Sequence, residues 1–333
     1  MISVVISIYN SEEHIERCLD SILRSTGVKV EIIVVVNSYT AKSKRLLENY
    51  RVNKNIFVYF LKRNMGRVYA TNLGTKRSKS NFVMILDIDT KIFPSTLERL
   101  YKRMKQNKTV GIAVPMLIKG DTKRLDSADH FISPIGIPYE IGVDEPLEKH
   151  RREKKIFAAK CCGMMVRKNV FNLIGMFDPN FYMHGEETDL CWRCHLAGYE
   201  IIFFPKSRMC HYGKSSLNPN TKIFIYTQGI KNNFSYLIKN MTIARLLITL
   251  TLFYFFWGGM MILSLLSLDW KKTIWIFWGL LGGLMLLPKS LEKRKRIFSL
   301  ATPESIRRVG EIMYGNLNFL ELIKKGWGWI KNG

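Results

Sequence analysis

Apolar and polar positions alternate in blocks along the first quarter of the chain. Residues 2–8 (Ile-Ser-Val-Val-Ile-Ser-Ile) form an apolar run that Tyr9-Asn10-Ser11 stops, the pattern of a buried strand and its turn. Ser11 with Glu12 and Glu13 can open a helix whose apolar face is Ile15, Leu19, Ile22 and Leu23. A second strand is expected over 31–36, a basic helix near 41–50, a third strand over 56–61, a helix near 66–78 and a fourth strand from Phe82 to Leu86. Strands and helices alternating at this spacing predict an α/β fold, a mostly parallel sheet covered by helices on both faces. In such sheets ligands bind beyond the carboxyl ends of the strands, so the polar residues there are the first candidates for chemistry.

The pattern changes near residue 246. Leu246 to Leu268 is apolar and uncharged, about 34 Å long as a helix at about 1.5 Å per residue, enough to cross a bilayer. Asp269, Trp270, Lys271 and Lys272 interrupt it, and the shorter apolar run Thr273 to Leu287 follows. A transmembrane helical hairpin is expected over 246–287, with a re-entrant or in-plane helix as the alternative for its second arm. The basic stretch Lys289 to Arg296 should stay cytoplasmic, and two crossings keep the α/β part on that side. Residues 303–331 mix apolar and basic positions at helical spacing, with Trp327 and Trp329 near the end. Such a helix either lies on an anionic membrane or packs on the rest of the protein.

Charge sharpens the choice of partner. The 333 residues carry 51 Lys and Arg against 27 Asp and Glu, a net +24, which favours a polyanion. No nucleic-acid-binding motif accompanies the basic residues, and the apolar block beside them points to anionic membrane lipid instead. No secretory leader is expected at the N-terminus, which places the six cysteines in a reducing cytoplasm as free thiols. Cys191 and Cys194 have C-x-x-C spacing, but without a second pair they read as buried structural cysteines rather than zinc ligands.

Strand four ends in Asp87-Ile88-Asp89. Two carboxylates beyond an apolar strand are either a solvated turn or the oxygen ligands of Mg2+ or Mn2+. Further along come Cys-Cys-Gly-Met-Met-Val-Arg from 161, Ile-Gly-Met-Phe-Asp-Pro-Asn-Phe from 174, Gly-Glu-Glu-Thr-Asp-Leu-Cys-Trp-Arg from 185, and His211-Tyr212-Gly213. Together with Ile8-Tyr9-Asn10, Asn64-x-Gly66, Asn72-x-Gly74 and Asp87-x-Asp89, this ordered set resembles the family-2 glycosyltransferases over residues 1–215, closest to their rhamnosyltransferase-like members.

The resemblance implies a GT-A fold, a nucleotide-sugar donor and a single inverting displacement. It implies that Asp89, and more loosely Asp87, hold a divalent metal on the donor diphosphate. His211 is either a further ligand or a packing histidine. Glu187 matches the family's catalytic base, with Glu186 as the alternative. Asp189 either caps the helix starting there or pairs with Arg193, and Trp192 either walls the acceptor site or lies in the core. Gly163 matches a small residue that leaves room for donor or acceptor. Ile8, Asn10, Arg63, Asn64 and Arg67 match the region that approaches the donor, with a solvated basic face as the alternative for Arg63, Asn64 and Arg67.

Two departures stand out. Where the family has acids that read the nucleobase, this chain has Val36 and Ala41, so base recognition falls to Asn37, Asn10 or backbone groups, or the donor base differs. The implied organisation is a catalytic domain over 1–222 (donor half 1–110, acceptor half 111–222), a juxtamembrane connection over 223–245, the hairpin and a basic amphipathic tail over 288–333. The implied acceptor is lipid-linked or a membrane-proximal glycan. A non-catalytic nucleotide-sugar-binding scaffold is the rival reading, and a homo-oligomer stays open beside a monomer.

Overall fold

The computed structural model describes residues 1–9, 12–213 and 219–314, with side chains of the last stretch from residue 223 onward. The expected alternation is present: β1 (Ile2–Tyr9), α1 (Ile15–Leu23), β2 (Val30–Ser38), α2 (Ala41–Tyr50), β3 (Ile56–Phe60), α3 (Arg67–Arg77) and β4 (Phe82–Asp87). Then follow β5 (Thr90–Ile92), α4 (Thr96–Gln106), β6 (Val110–Lys119), β7 (Leu125–Ser127), β8 (Asp129–Ile132), β9 (Pro138–Ile141), β10 (Lys154–Lys155), β11 (Gly163–Arg167), α5 (Lys168–Leu173), α6 (Glu186–Leu196) and β12 (Glu200–His211). Five helices follow: α7 (Pro219–Asn240), α8 (Ile243–Leu266), α9 (Trp270–Met285), α10 (Leu287–Ser299) and α11 (Pro303–Ile312).

The main sheet has the order β10-β12-β6-β11-β4-β1-β2-β3. Strands β4, β1, β2 and β3 are mutually parallel, as the alternating pattern predicts. The other half is mixed, because β11 runs antiparallel to both β4 and β6. An apolar run carries no record of strand direction, so the sequence pattern could not show this.

Strand alternation divides the core in two. Ile2, Val4, Ile6 and Ile8 face one layer with Ile15, Leu19 and Ile22 of α1 and Leu97, Leu100 and Met104 of α4. Leu23, expected on that apolar face, points outward at 43% exposure. Val5, Ile33 and Val35 face the other layer, with α3, α5, α6 and α7. Gly74 lets α3 approach the sheet, since a Cβ there would lie 2.5 Å from Val5.

The second layer also contains the C-terminal helices. Ile230, Phe234, Tyr236 and Leu237 of α7 are buried in it. Helix α9 lies along α7 at glycine contacts: a Cβ on Gly279 or Gly283 would come within 2.8 or 2.9 Å of Ile230 or Phe234. Asp269, in the turn between α8 and α9, caps α9 by accepting from Lys272 N at 3.0 Å. Among the described residues one helix, Ile243–Leu266, is long and apolar enough to cross a membrane, while α9 and α10 pass that test only as a pair bent by 52°. Helix α11 packs on α6 through Ser305, whose hydroxyl donates to Leu196 O at 2.8 Å. Residues 315–333, with Trp327 and Trp329, lie outside the described residues.

Buried ions join α6 to α7 and α10. Lys239 of α7, 1% exposed, reaches Asp178 at 2.5 Å and Asp189 at 2.7 Å. Arg193 also holds Asp189 at 2.8 Å, and Lys293 of α10 contacts Asp178. Although burial pushes the Asp178 carboxyl up, the charges of Lys239 and Lys293 hold it well below its ordinary value. Lys239→Met leaves buried carboxylates short of a partner, with an expected loss of about 3–5 kcal/mol of folding stability. Urea unfolding of the variant reads this directly; an unmoved midpoint contradicts it.

Candidate active site

The Asp87-x-Asp89 turn is pinned through its backbone. Thr90 Oγ1 donates to Asp87 O at 2.7 Å, and Tyr212 N donates to Asp89 O at 2.8 Å. The antiparallel register of β5 on β12 sets Thr90 opposite His211. Ligand atoms of Asp87, Asp89 and His211 therefore come within 4.8 Å of one another. His211 Nε2 lies 3.5 Å from Asp89 Oδ1, and its Nδ1 lies 3.1 Å from Asp126 Oδ2.

The ionisable groups here hold one another's charge. Burial alone would raise Asp89, yet the His211 ring holds it below the ordinary carboxylate value. Burial opposes a charged His211, but Asp126 and Asp89 push the imidazole up to about 10. Asp89 Oδ1 is buried and has no hydrogen-bond partner. An orphaned anionic oxygen beside a second carboxylate and an imidazole is the donor set of a hard divalent ion such as Mg2+ or Mn2+.

Arg67, at the start of α3, connects this turn to α6. Its Nη2 and Nε lie 2.6 and 3.1 Å from Asp87 Oδ1, and its Nη1 lies 2.8 Å from Glu186 Oε1. Two acidic motifs almost a hundred residues apart thus share one guanidinium. Glu186 is buried and its Oε2 has no partner. Glu187, one residue on, stays partly exposed. Burial, then the Glu186 carboxylate beside it, pushes Glu187 up to about 8.

The remaining candidates are dispersed. Asn64 Oδ1 closes a turn on Gly66 N at 2.9 Å, and Arg63 is exposed, its Nε 3.3 Å from Met65 Sδ. Asn37 is 2% exposed, donating to Gly66 O at 2.8 Å and accepting from Met65 N at 3.1 Å. Both its polar groups bond the 65–66 turn, and its side chain is buried there. Ile8 and Val36 pair across β1 and β2 and are buried in the core, and Asn10 lies outside the described residues. Gly163 faces the core, where a Cβ would meet Met209 Sδ at 2.4 Å; its smallness serves packing rather than ligand space.

Asp189 is fully buried in the ion cluster beside Lys239, and Trp192 is 1% exposed between Phe157 and Tyr236. Neither reaches an open acceptor surface. Cys191 and Cys194 are buried free thiols. Sequence reasoning missed Asp126, Lys160 and Lys239. Lys160 sits 3.0 Å from Asp126, and both depend on contacts between distant segments. Lys239 left one trace, a lone cation in the apolar run Tyr-Leu-Ile-Lys. A groove of about 910 Å³ between α4 and β12, lined by Arg99, Lys206, Arg208 and Phe204, contains none of these acids.

The profile described as "Glycosyl transferase family 2" matches residues 3–175, which is 173 of the 333 residues. The chain belongs to the family 2 glycosyltransferases. The chain is 22% identical over 261 residues to Glycosyltransferase GlyG of Streptococcus pneumoniae, covering 74% of this chain and 82% of that one. It is 24% identical over 257 residues to an uncharacterized glycosyltransferase of Rickettsia bellii, covering 73% of this chain. It spans 33% of that protein and 15% of Glycosyltransferase GlyA of S. pneumoniae, a third or less of these relatives' lengths. A poly-beta-1,6-N-acetyl-D-glucosamine synthase of Staphylococcus epidermidis is 23% identical over 210 residues, 62% of this chain and 48% of that one.

Among solved structures, GalNAc-T7 with UDP, GalNAc and Mn2+ superposes with a TM-score of 0.59 at 19% identity, over 72% of this chain and 47% of that one. Residues 1–349 of S. aureus TarS superpose at 0.56 and 15% identity, over 93% and 90%. The chain therefore has the GT-A α/β fold expected from its sequence.

Proposed function

We propose that this glycosyltransferase moves a hexosyl or rhamnosyl group, with inversion, from a nucleotide-diphosphate donor to a lipid-linked or membrane-proximal acceptor. The observation that carries the reading is the Arg67 bridge, which holds Asp87 and Glu186, the neighbour of Glu187, on one guanidinium. The orphaned Asp89 oxygen, and the UDP and Mn2+ held by the similarly folded GalNAc-T7, support a metal-assisted donor site. Asp87, Asp89 and His211 would hold the ion, which when bound supplies positive charge to a departing diphosphate.

Glu187 accepts the proton of the acceptor hydroxyl as that oxygen attacks the anomeric carbon. Glu186 is held by Arg67 and keeps the adjacent carboxylate basic. Inversion follows from a single displacement, with the base and the leaving group on opposite sides of the sugar. The protein works at the membrane, with its catalytic domain on the cytoplasmic side where nucleotide sugars are made.

The test is nucleoside diphosphate release from UDP-, GDP- and dTDP-sugars in the presence of Mn2+ and a membrane glycolipid extract. One donor is expected to turn over only when acceptor is present; a flat result across all three overturns the reading. The same assay against pH reads the base. A carboxylate raised to about 8 is active only when deprotonated, so kcat/KM should climb as pH rises and level off above about 8. A profile flat from acid to alkaline pH contradicts Glu187 as that base.

A further inference from the structure

Helices α8 and α9 carry a continuous apolar face that no described residue covers. Ile243, Leu247, Phe255 and Leu266 of α8 are 64–77% exposed, and Ile274, Phe277 and Trp278 of α9 are 50–55% exposed. The opposite stripe of α8 is buried at Leu246, Thr249, Phe253, Trp257, Met260 and Ser264, every third or fourth position for nearly the whole helix.

That buried stripe lies lengthwise on the protein. Thr249 abuts Gly136 in the loop after β8, the Tyr254 ring is 6.0 Å from Phe234 of α7, and the Trp257 ring is 6.0 Å from Trp275 of α9. Helix α9 runs along α7 in turn, from Thr227 Oγ1 on Trp275 O at 3.3 Å to Phe234 over Gly283. Helix α7 holds the loop before the base, with Asn232 Nδ2 donating to Met183 O at 2.9 Å and His184 O at 2.6 Å.

A helix that crosses a bilayer can bury a face on other spanning helices, but α8 also packs on the loop after β8, through Thr249 against Gly136. Here neither α8 nor α9 can enter the hydrocarbon end-on without taking along Lys231, Asn233 and Lys239 of α7, an unfavourable transfer for charged and amide groups. We propose that α8 and α9 form an in-plane dock: the exposed face sinks into one leaflet to about 5–10 Å, and neither helix crosses. This replaces the two crossings that the apolar runs suggest in sequence.

The occupant is an anionic lipid surface. Lys271 and Lys272 stand beside Asp269 at one end of the apolar face, Arg245 stands at the other end, where it donates to Gly310 O of α11 at 3.1 Å, and Trp270 and Trp278 are the side-chain type that settles at headgroup depth. The inference deepens the proposed membrane location and does not depend on the transfer chemistry. It sets the start of α6 two helix layers from the lipid, about 20 Å at 8–10 Å per layer, within reach of a membrane-held acceptor.

The test uses the full chain. All six native cysteines are buried, so a charged, membrane-impermeant maleimide reads only an introduced thiol. Ser267→Cys reports the exposed α8–α9 turn, and Val52→Cys, at a site 86% exposed on the catalytic domain, reports the side on which that domain lies. In sealed membrane vesicles from expressing cells both sites should react from the same side without detergent. Reaction of Ser267→Cys only from the side opposite Val52→Cys overturns the proposal, since a crossing hairpin puts the turn there.

Purified protein should also float with vesicles of equal parts phosphatidylcholine and phosphatidylglycerol. Phe255→Asp with Leu247→Asp should cut the floated fraction several-fold without moving the melting temperature, because both side chains are exposed. Failure of the parent protein to float, or unchanged flotation of the double variant, also overturns the dock.

Discussion

Glu187→Gln is expected to lower turnover by about 10²–10⁴-fold, the range a positioned general base contributes, with donor affinity changed little. Glutamine keeps the shape of the side chain and its partial exposure at the start of α6, but it cannot take a proton. The neighbouring acid is the internal comparison. Glu186 is buried and held by Arg67 at 2.8 Å, so Glu186→Gln removes a charge from that contact rather than the proton acceptor. It should lower activity less than Glu187→Gln and shift the acid limb of the pH profile downward, because the charge that raises Glu187 is gone. Single-turnover rates of the two variants separate the roles. A Glu187→Gln enzyme with near-parental kcat would remove this residue from the chemistry and favour a scaffold.

Asp89→Asn should be comparably severe by a different route, with a loss of about 10²–10³-fold or more, the scale for removing one strong electrostatic contact to a developing charge. The turn itself should survive, because Asp89 is pinned through its carbonyl to Tyr212 N and the turn is closed by Thr90 on Asp87 O. What disappears is the anionic oxygen that stands buried without a hydrogen-bond partner. The expected signature is a metal titration displaced to much higher Mn2+, with unfolding little changed. Parental activity at low Mn2+ in this variant would place the cation elsewhere or remove it from the reaction.

Much of this arrangement was legible in the sequence because it is local. The runs Ile2–Ile8 and Phe82–Leu86 give strands, and the acids just past the second run fall at the rim of a parallel sheet. The ordered motifs up to His211 carried the family. What stayed hidden depends on long-range contacts. Asn37 stands where the sequence suggested a base reader, and its bonds to the 65–66 backbone are a contact that no spacing announces. Asp126 reaches His211 across β7 and β12, a pairing no spacing encodes. Apolar content in α8 reads as membrane-crossing, but it does not show that about a quarter of the helix, the stripe that includes Phe253 and Trp257, is turned toward protein. Composition records how much apolar surface a helix carries, whereas packing decides what that surface faces.

The most direct measurement is thermal unfolding of the full chain and of Asp89→Asn with UDP-, GDP- and dTDP-sugars, each with and without Mn2+. A bound donor raises the melting temperature by mass action, so the account predicts a rise for one nucleotide series, dependent on Mn2+ and lost in Asp89→Asn. A rise of equal size without metal, or in the variant, would contradict it, and no rise with any donor would contradict it more deeply.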